Sequence, residues 1–287
     1  MKLRNILTLG LLLSGTVLMA QTVLDYDKSP NAEDNNTYIE HHNKEARPIP
    51  YPHLREADVM WTRRYWRKIV AKEKMNLPLY YPIQPTRDRA SLATVLFQAV
   101  VDEGTITAYS DDEFSRVLTP REVGRTLMKV DTNTFPDLDD PTIMITTIDT
   151  INVEPGQIVE FLLKEDVFFD KQRSVMEFRI LGICPVIEKE IPETGEIIKE
   201  KLFWVWYPEA RNVLANAEAF NRFNSGERRT FEQIFQMRMF SSYIVQEENV
   251  FDREIRDYKK FSPMEQLLEA ERIENEIRYF EHDLWEY

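Results

Sequence analysis

The hydrophobic positions change their spacing several times along the chain, and each change marks a segment. An apolar run, "ILTLGLLLSGTVLM", follows Lys2 and Arg4 and gives way to polar residues after Ala20. This is the pattern of a secretory signal peptide, residues 1–20. Residues 21–54 keep no period, and four prolines lie between positions 22 and 54. They read as an extended arm, either a tether or a segment that orders against another surface. In "READVMWTRRYWRKIVAKEKM", Trp61, Tyr65 and Ile69 recur every four residues, and Val59, Trp66 and Val70 widen the apolar face. That spacing predicts a helix over residues 55–74.

A second helix follows in "RASLATVLFQAVVDEG", with Leu92, Val95, Leu96, Ala99 and Val100 as its stripe and Gly104 at its end. The short run "TITAY" reads as a strand. "TPRE" then opens a helix with Thr119 as cap, Pro120 in the first turn and Glu122 completing a capping box. Between residues 141 and 210 the period becomes two. "TIMITTIDTINV", "QIVEFLLKEDVFFD", "SVMEFRILGICPVI" and "KLFWVWY" are strand candidates, with "EPGQ" and "PETGE" as turns. In the last strand Phe203, Val205 and Tyr207 alternate with Leu202, Trp204 and Trp206, so both faces are apolar and covered. Helices return in "PEARNVLANAEAF", in "TFEQIFQMRMFSSYI" with Phe231, Ile234, Phe235 and Met239 on one face, and in "SPMEQLLEAERIENEIRYFEHDLWEY". The last opens with a box from Ser262 to Glu265, and its stripe runs through Leu267 or Leu268, Ile273, Ile277, Phe280 and Leu284.

These elements predict an α+β fold, an antiparallel or mixed central sheet flanked by N-terminal and C-terminal helices. Residues 55–261 form the core domain and residues 262–287 an acidic C-terminal helix. No apolar run after the signal peptide approaches the ~20 residues that cross a bilayer, so the mature chain has no transmembrane segment.

Charge narrows the possible partners. The chain carries a formal charge of −13, and loss of the signal peptide makes it more acidic still. Such a surface repels phosphate backbones, which excludes nucleic acid as a partner class. Locally the balance reverses: Arg55 to Lys74 hold seven basic and three acidic residues, whereas residues 262–287 hold eight acidic and two basic. The two segments are complementary, within one subunit or between neighbours.

Catalytic chemistry finds little support. The sequence contains no P-loop, GxGxxG, GxSxG or HExxH motif. Its four histidines, His41, His42, His53 and His282, lie outside the folded middle. Asp137, Asp139 and Asp140 resemble calcium ligands, but the loop lacks the central glycine and final glutamate of an EF-hand. Glu160, Glu177 and Glu209 near aromatic rings leave a glycoside-hydrolase pair as a third reading. The lone cysteine, Cys184, sits in apolar "FRILGICPV" and reads as buried. No cofactor or metal is expected, and the chain reads as no enzyme. Arginine beside aromatic side chains instead suits protein contact, because guanidinium both stacks and pairs with carboxylate. The candidate interface residues are Trp61, Arg63, Arg64, Trp66 and Arg67, then Trp204, Trp206 and Arg211, then Arg228, Arg229 and Arg238. Trp204 and Trp206 are equally compatible with core positions. The alternative function is a carbohydrate- or peptidoglycan-binding module with exposed rings as its platform.

The segments "WTRRYWRKI", "NLPLYYP", "SLATVLFQAVVDEGTITAYSDDEF" and "KLFWVWYPEARNVLANAEAFNRFNSGERRTFEQIFQMRMFSSYIVQEENVFDREIRDY" together resemble the gliding motility family GldN, called PorN in non-gliding relatives. The likeness runs from about Tyr51 to the penultimate helix. The resemblance implies a periplasmic component of the type IX secretion system. It also implies association with a lipoprotein, GldK or PorK, in a large ring beneath the outer membrane, near the inner-membrane motor of GldL and GldM. It carries over no catalytic residue.

Overall fold

Alternation, not helical period, governs the first folded segment. Val59–Val70 form a twelve-residue strand, β1, where the spacing predicts a helix. The misreading has a physical cause: positions 61, 65 and 69 share a face in a strand as well, because four is a multiple of two. The positions between them on that face are Arg63 and Arg67, whose charges hide the alternation. Arg67 is nevertheless only 4% exposed, since its counter-charge is buried with it.

The computed structural model describes residues 46–284 apart from 87–88, 137–143, 191–196, 222–223 and 225. The predicted signal peptide, most of the arm, the "PETGE" turn and Asp137, Asp139 and Asp140 lie outside these residues. The remaining strands are β2 (Ala108–Tyr109), β3 (Val117–Leu118), β4 (Met128–Pro136), β5 (Met144–Asn152), β6 (Ile158–Asp170), β7 (Val175–Glu190), β8 (Ile197–Lys201), β9 (Trp204–Trp206) and β10 (Tyr243–Glu247). The helices are α1 (Leu77–Tyr80), α2 (Leu92–Phe97), α3 (Pro120–Thr126), α4 (Tyr207–Asn216), α5 (Phe231–Gln236), α6 (Ile255–Tyr258) and α7 (Pro263–Asp283). The main sheet runs β10-β1-β6-β7-β9-β2-β3, with β8 beside β7, and every pairing is antiparallel. A separate hairpin joins β4 to β5. The fold is therefore α+β.

Each side of the sheet has its own covering. Opposed residues in neighbouring strands present their side chains to one face. Tyr65 faces Glu165, Arg67 faces Leu163 and Ile69 faces Phe161 on the first. This face meets the helices. The main core joins Ile69, Phe161, Leu163 and Ile183 to Leu92 and Leu96 of α2, Tyr207 and Leu214 of α4, and Phe231 and Phe235 of α5. Burying each large apolar side chain contributes about 1.5–3 kcal/mol. A second cluster packs Tyr65, Val167 and Ile244 against Ala270, Ile273 and Ile277 of α7. The Trp61 ring lies 4.8 Å from that of Phe280. The basic strand and acidic helix thus meet inside one subunit.

The opposite face carries a smaller cluster of Cys184, Val186 and Trp204, with Trp66, Tyr109, Phe114 and Leu162 around it. Gly182 is required here. A methyl group at its Cα would come within 2.8 Å of the Phe114 ring and 3.2 Å of the Trp204 ring. Phe114 itself holds φ at +55°, a left-handed conformation that non-glycine residues rarely adopt. Gly182→Ala is expected to destabilise the protein by about 1–3 kcal/mol through overpacking. Urea unfolding followed by tryptophan fluorescence measures it.

Several helix ends form as the sequence requires. Ser91 caps α2 by accepting the Thr94 amide, and Thr119 and Glu122 make the reciprocal box of α3. Between these two helices Gly104 takes φ +62°. β9 stops at the helix because Pro208 has no N–H for the ladder but fits the first turn of α4. The helix predicted over 230–244 ends at Gln236. Arg238 takes φ +52°, and the chain turns into β10, which pairs with β1. In α7 the buried stripe is Ala270, Ile273 and Ile277, while Leu267, Leu268 and Leu284 are exposed.

Candidate interaction surfaces

The aromatic and arginine residues divide into an inner and an outer set. Arg67 and Arg238 converge on Glu165, a carboxylate in the middle of β6 that is fully buried. Arg238 donates to it at 2.8 Å and stacks on Phe178 and Phe240, at 4.6 and 5.4 Å. Glu274 of α7 stands 3.8 Å from Arg67. This network ties β1, β6, the turn before β10 and α7 together, so its arginines hold the subunit rather than line its exterior. In a low-dielectric interior the pairing is needed to offset desolvation of each charge.

A second centre secures the last residues of the arm. Arg211 of α4 pairs with buried Glu232 at 2.7 Å and donates to the Ile49 carbonyl at 2.5 Å. Its guanidinium lies 4.0 Å from the centre of the Tyr51 ring. Arg179 stacks on the other side of this junction, 5.0 Å from both Tyr51 and Phe168, and donates to the Pro52 carbonyl. Tyr51 loses solvent here, and that burial pushes its hydroxyl above the ordinary value. The sequence pointed to Arg211 but not to Tyr51, Arg179 or Glu232. The run "RPIPYP", which places Tyr51 beside three prolines, was the available signal.

Trp204 is 2% exposed and belongs to the small cluster. Trp66 is half-buried and donates its indole N–H to Asp112 at 2.9 Å. Lys164, buried between the Trp66 and Phe114 rings, donates to the Asp112 carbonyl at 2.7 Å and so fixes the loop between β2 and β3. Arg64 makes a bidentate pair with Asp166, at 2.7 and 3.1 Å. Arg63 reaches Glu247 at 3.3 Å, and Arg228 reaches Glu218 at 3.5 Å. Arg229 pairs with Glu227 and contacts the Met239 sulfur. Trp206 is 44% exposed, the most open of the four candidate tryptophans, and stands at the end of β9. The structure does not gather the candidate residues into one patch.

A groove of about 330 Å³ crosses the second face of the sheet. Trp66, Leu162 and Val186 give it apolar walls, and Leu267 of α7 borders it. Lys68, Lys199, Lys201 and Arg256 stand around it against Glu160 and Glu254. Glu160 is almost fully buried and paired with both Lys68, at 3.4 Å, and Lys199.

The carboxylates of the hydrolase reading are dispersed. Glu160 lies in the groove, Glu177 pairs with Arg173 and Arg179, and Glu209 accepts from the Thr107 amide and hydroxyl. His53 and His282 are both exposed, and His41 and His42 lie outside the described residues. Among the described residues no group of three His, Cys, Asp or Glu side chains is arranged to hold a metal ion. Cys184 is buried, as its apolar setting predicts, and burial pushes its thiol up to about 12. At pH 8 a thiol raised so far stays protonated and unreactive. A disulfide reagent at that pH is therefore expected to label the folded protein negligibly, and one thiol per chain in denaturant.

The molecule is thus an α+β protein whose charged and aromatic side chains mainly hold chain segments together, with further aromatic and basic groups left at the surface. Among the described residues no helix is long and apolar enough to cross a membrane. The family model for the gliding motility associated protein GldN matches residues 54–286, and the chain belongs to that family. It is accordingly a component of the gliding motility and type IX secretion machinery. A comparison with curated proteins gives no match.

Proposed function

We propose that this chain is a non-catalytic periplasmic scaffold of the type IX secretion and gliding machinery. Residues 1–20 direct export. The folded body then assembles in repeated copies with an outer-membrane lipoprotein of the GldK or PorK kind, forming a ring near the GldL and GldM motor. The family match over residues 54–286 carries this reading.

The geometry supports a division of labour among the candidate contact residues. Arg67, Arg211, Arg238 and Trp204 are spent on internal packing. Trp206, Arg63, Arg64 and Arg229 retain exposed surface and are the proposed contact groups. Aromatic and arginine side chains are the residue types that most often dominate binding energy at such contacts. Trp206→Ala should leave the isolated protein within about 1 kcal/mol of its normal stability, because the ring is already half in water. Capture by the lipoprotein should weaken. Equal capture of the variant and the parent chain in a pull-down would remove Trp206 from the interface. Retention on purified peptidoglycan without the lipoprotein would instead favour the glycan-binding alternative.

A further inference from the structure

The long C-terminal helix is amphipathic twice over. Its inner stripe, Ala270, Ile273 and Ile277, is buried in its own subunit. On the opposite side Met264, Leu268 and Tyr279 are exposed at 63%, 53% and 66%. Positions 264, 268, 275 and 279 fall on one side of a 3.6-residue helix, so these side chains form a second stripe with Asn275 between them. Carboxylates accompany it: Glu276, which also reaches Arg272 at 3.1 Å, lies three residues before Tyr279 and Asp283 four residues after it, both exposed. A surface helix with an apolar outer stripe calls for a partner beyond its own core.

Charge decides between the possible occupants. Pairing two copies of α7 face to face would set one acidic helix against another, which costs free energy. The groove on the far side of the β10 edge offers the reverse. Its apolar walls sit among Lys68, Lys199, Lys201 and Arg256, four cations against two carboxylates, in a chain whose formal charge is −13. Its volume of about 330 Å³ suits a projecting side chain rather than a whole helix. Lys201 and Arg256 are the most open of these cations, with side chains 55% and 68% exposed, and the two share a single carboxylate, Glu254, at 3.9 and 2.8 Å, which leaves their pair net positive.

We infer that the outer face of α7 from one copy docks into this groove on a second copy, with Tyr279 entering the apolar part and Glu276 and Asp283 meeting Lys201 and Arg256. The inference rests on the reading of the chain as a multi-copy scaffold. Donor and acceptor are different surfaces, so the contact is heterologous and propagates from copy to copy until it closes.

The test uses the full mature chain. One variant carries Lys201→Glu and Arg256→Glu, which spoils the groove. Another carries Glu276→Lys, Tyr279→Ala and Asp283→Lys, which spoils the knob. All substituted positions are exposed, and an unchanged melting temperature confirms folding. Mass is measured by light scattering at low and high salt. The parent chain is expected to self-associate at low salt, and each variant to do so at least tenfold more weakly. Their equimolar mixture is expected to recover association through the one intact pairing, the knob of the first variant in the groove of the second. A third chain carrying K201E, R256E, E276K and D283K, with Tyr279 kept, is expected to associate again. Parent-like assembly by either spoiled variant would overturn the inference while leaving the scaffold reading intact. A parent chain that stays monomeric, alone and with the lipoprotein, would overturn the scaffold reading itself.

Discussion

Replacing Glu165 with alanine is expected to destabilise the protein by about 3–5 kcal/mol, because it strands the buried Arg67 charge and removes the carboxylate partner of the partly exposed Arg238. Arg67 has an exposed fraction of 4% and cannot recover its hydration cheaply, whereas Arg238, stacked on Phe178 and Phe240, keeps 28% of its side chain in water and loses less. Glu274, at 3.8 Å from Arg67 and itself partly exposed, compensates weakly. Denaturant unfolding of E165A against the parent chain measures the loss. Arg67→Ala and the double variant complete the cycle. A coupling near zero between positions 67 and 165 would show that the network is not what joins β1 to β6. Replacing both residues with apolar ones of similar size should cost far less than either single change, since buried ion pairs often contribute little net stability once both charges are removed.

Trp204→Ala should have an effect of the same order, about 3–5 kcal/mol, for a different reason. The ring fills the space over Gly182 and packs with Cys184 and Val186, so its removal leaves a cavity that the surrounding sheet cannot collapse to fill. The two neighbouring tryptophans therefore predict opposite phenotypes: W204A lowers stability, whereas W206A leaves the fold and weakens capture. Thermal denaturation of both variants separates them. Equal melting temperatures for the two would contradict the assignment of Trp204 to the core.

Legibility of the sequence depended on whether polar residues were where polarity normally belongs. The strands β6, β7 and β9 were readable because their apolar residues sit in runs, and α3 was readable because Thr119 and Glu122 are both chemically suited to a cap. β1 was not, since Arg67 occupies a core position and any pattern that treats arginine as surface loses the period there. The same applies to "LLKEDVFF", in which Lys164 and Glu165 are buried on opposite faces of one strand and each needs a partner from far along the chain. Such partners, Asp112 for one and Arg238 for the other, cannot be found by spacing. The helix over 230–244 ended at Gln236 because Arg238 turns the chain at φ +52°, and the buried Ile244 that extends the apolar pattern belongs to β10 instead. Of the candidate contact residues, the sequence identified side chains able to make strong contacts but could not say whether those contacts were already made within the subunit.

That distinction shapes the functional account. A family of secretion-machinery components needs subunits that keep their shape while neighbours bear on them, and the buried arginine networks give this one cross-strand ties of that kind. What remains outside, Trp206, the outer stripe of α7 and the basic groove, is the surface proposed for contact with neighbouring subunits.

The most direct test is the mass and shape of the assembly formed by the mature chain with the proposed lipoprotein partner. Purified alone and then mixed, the two are expected to yield large closed particles containing many copies of each by light scattering and electron microscopy. A mixture that contains only separate monomers, or a chain that turns over a glycan or peptide substrate on its own, would contradict the account.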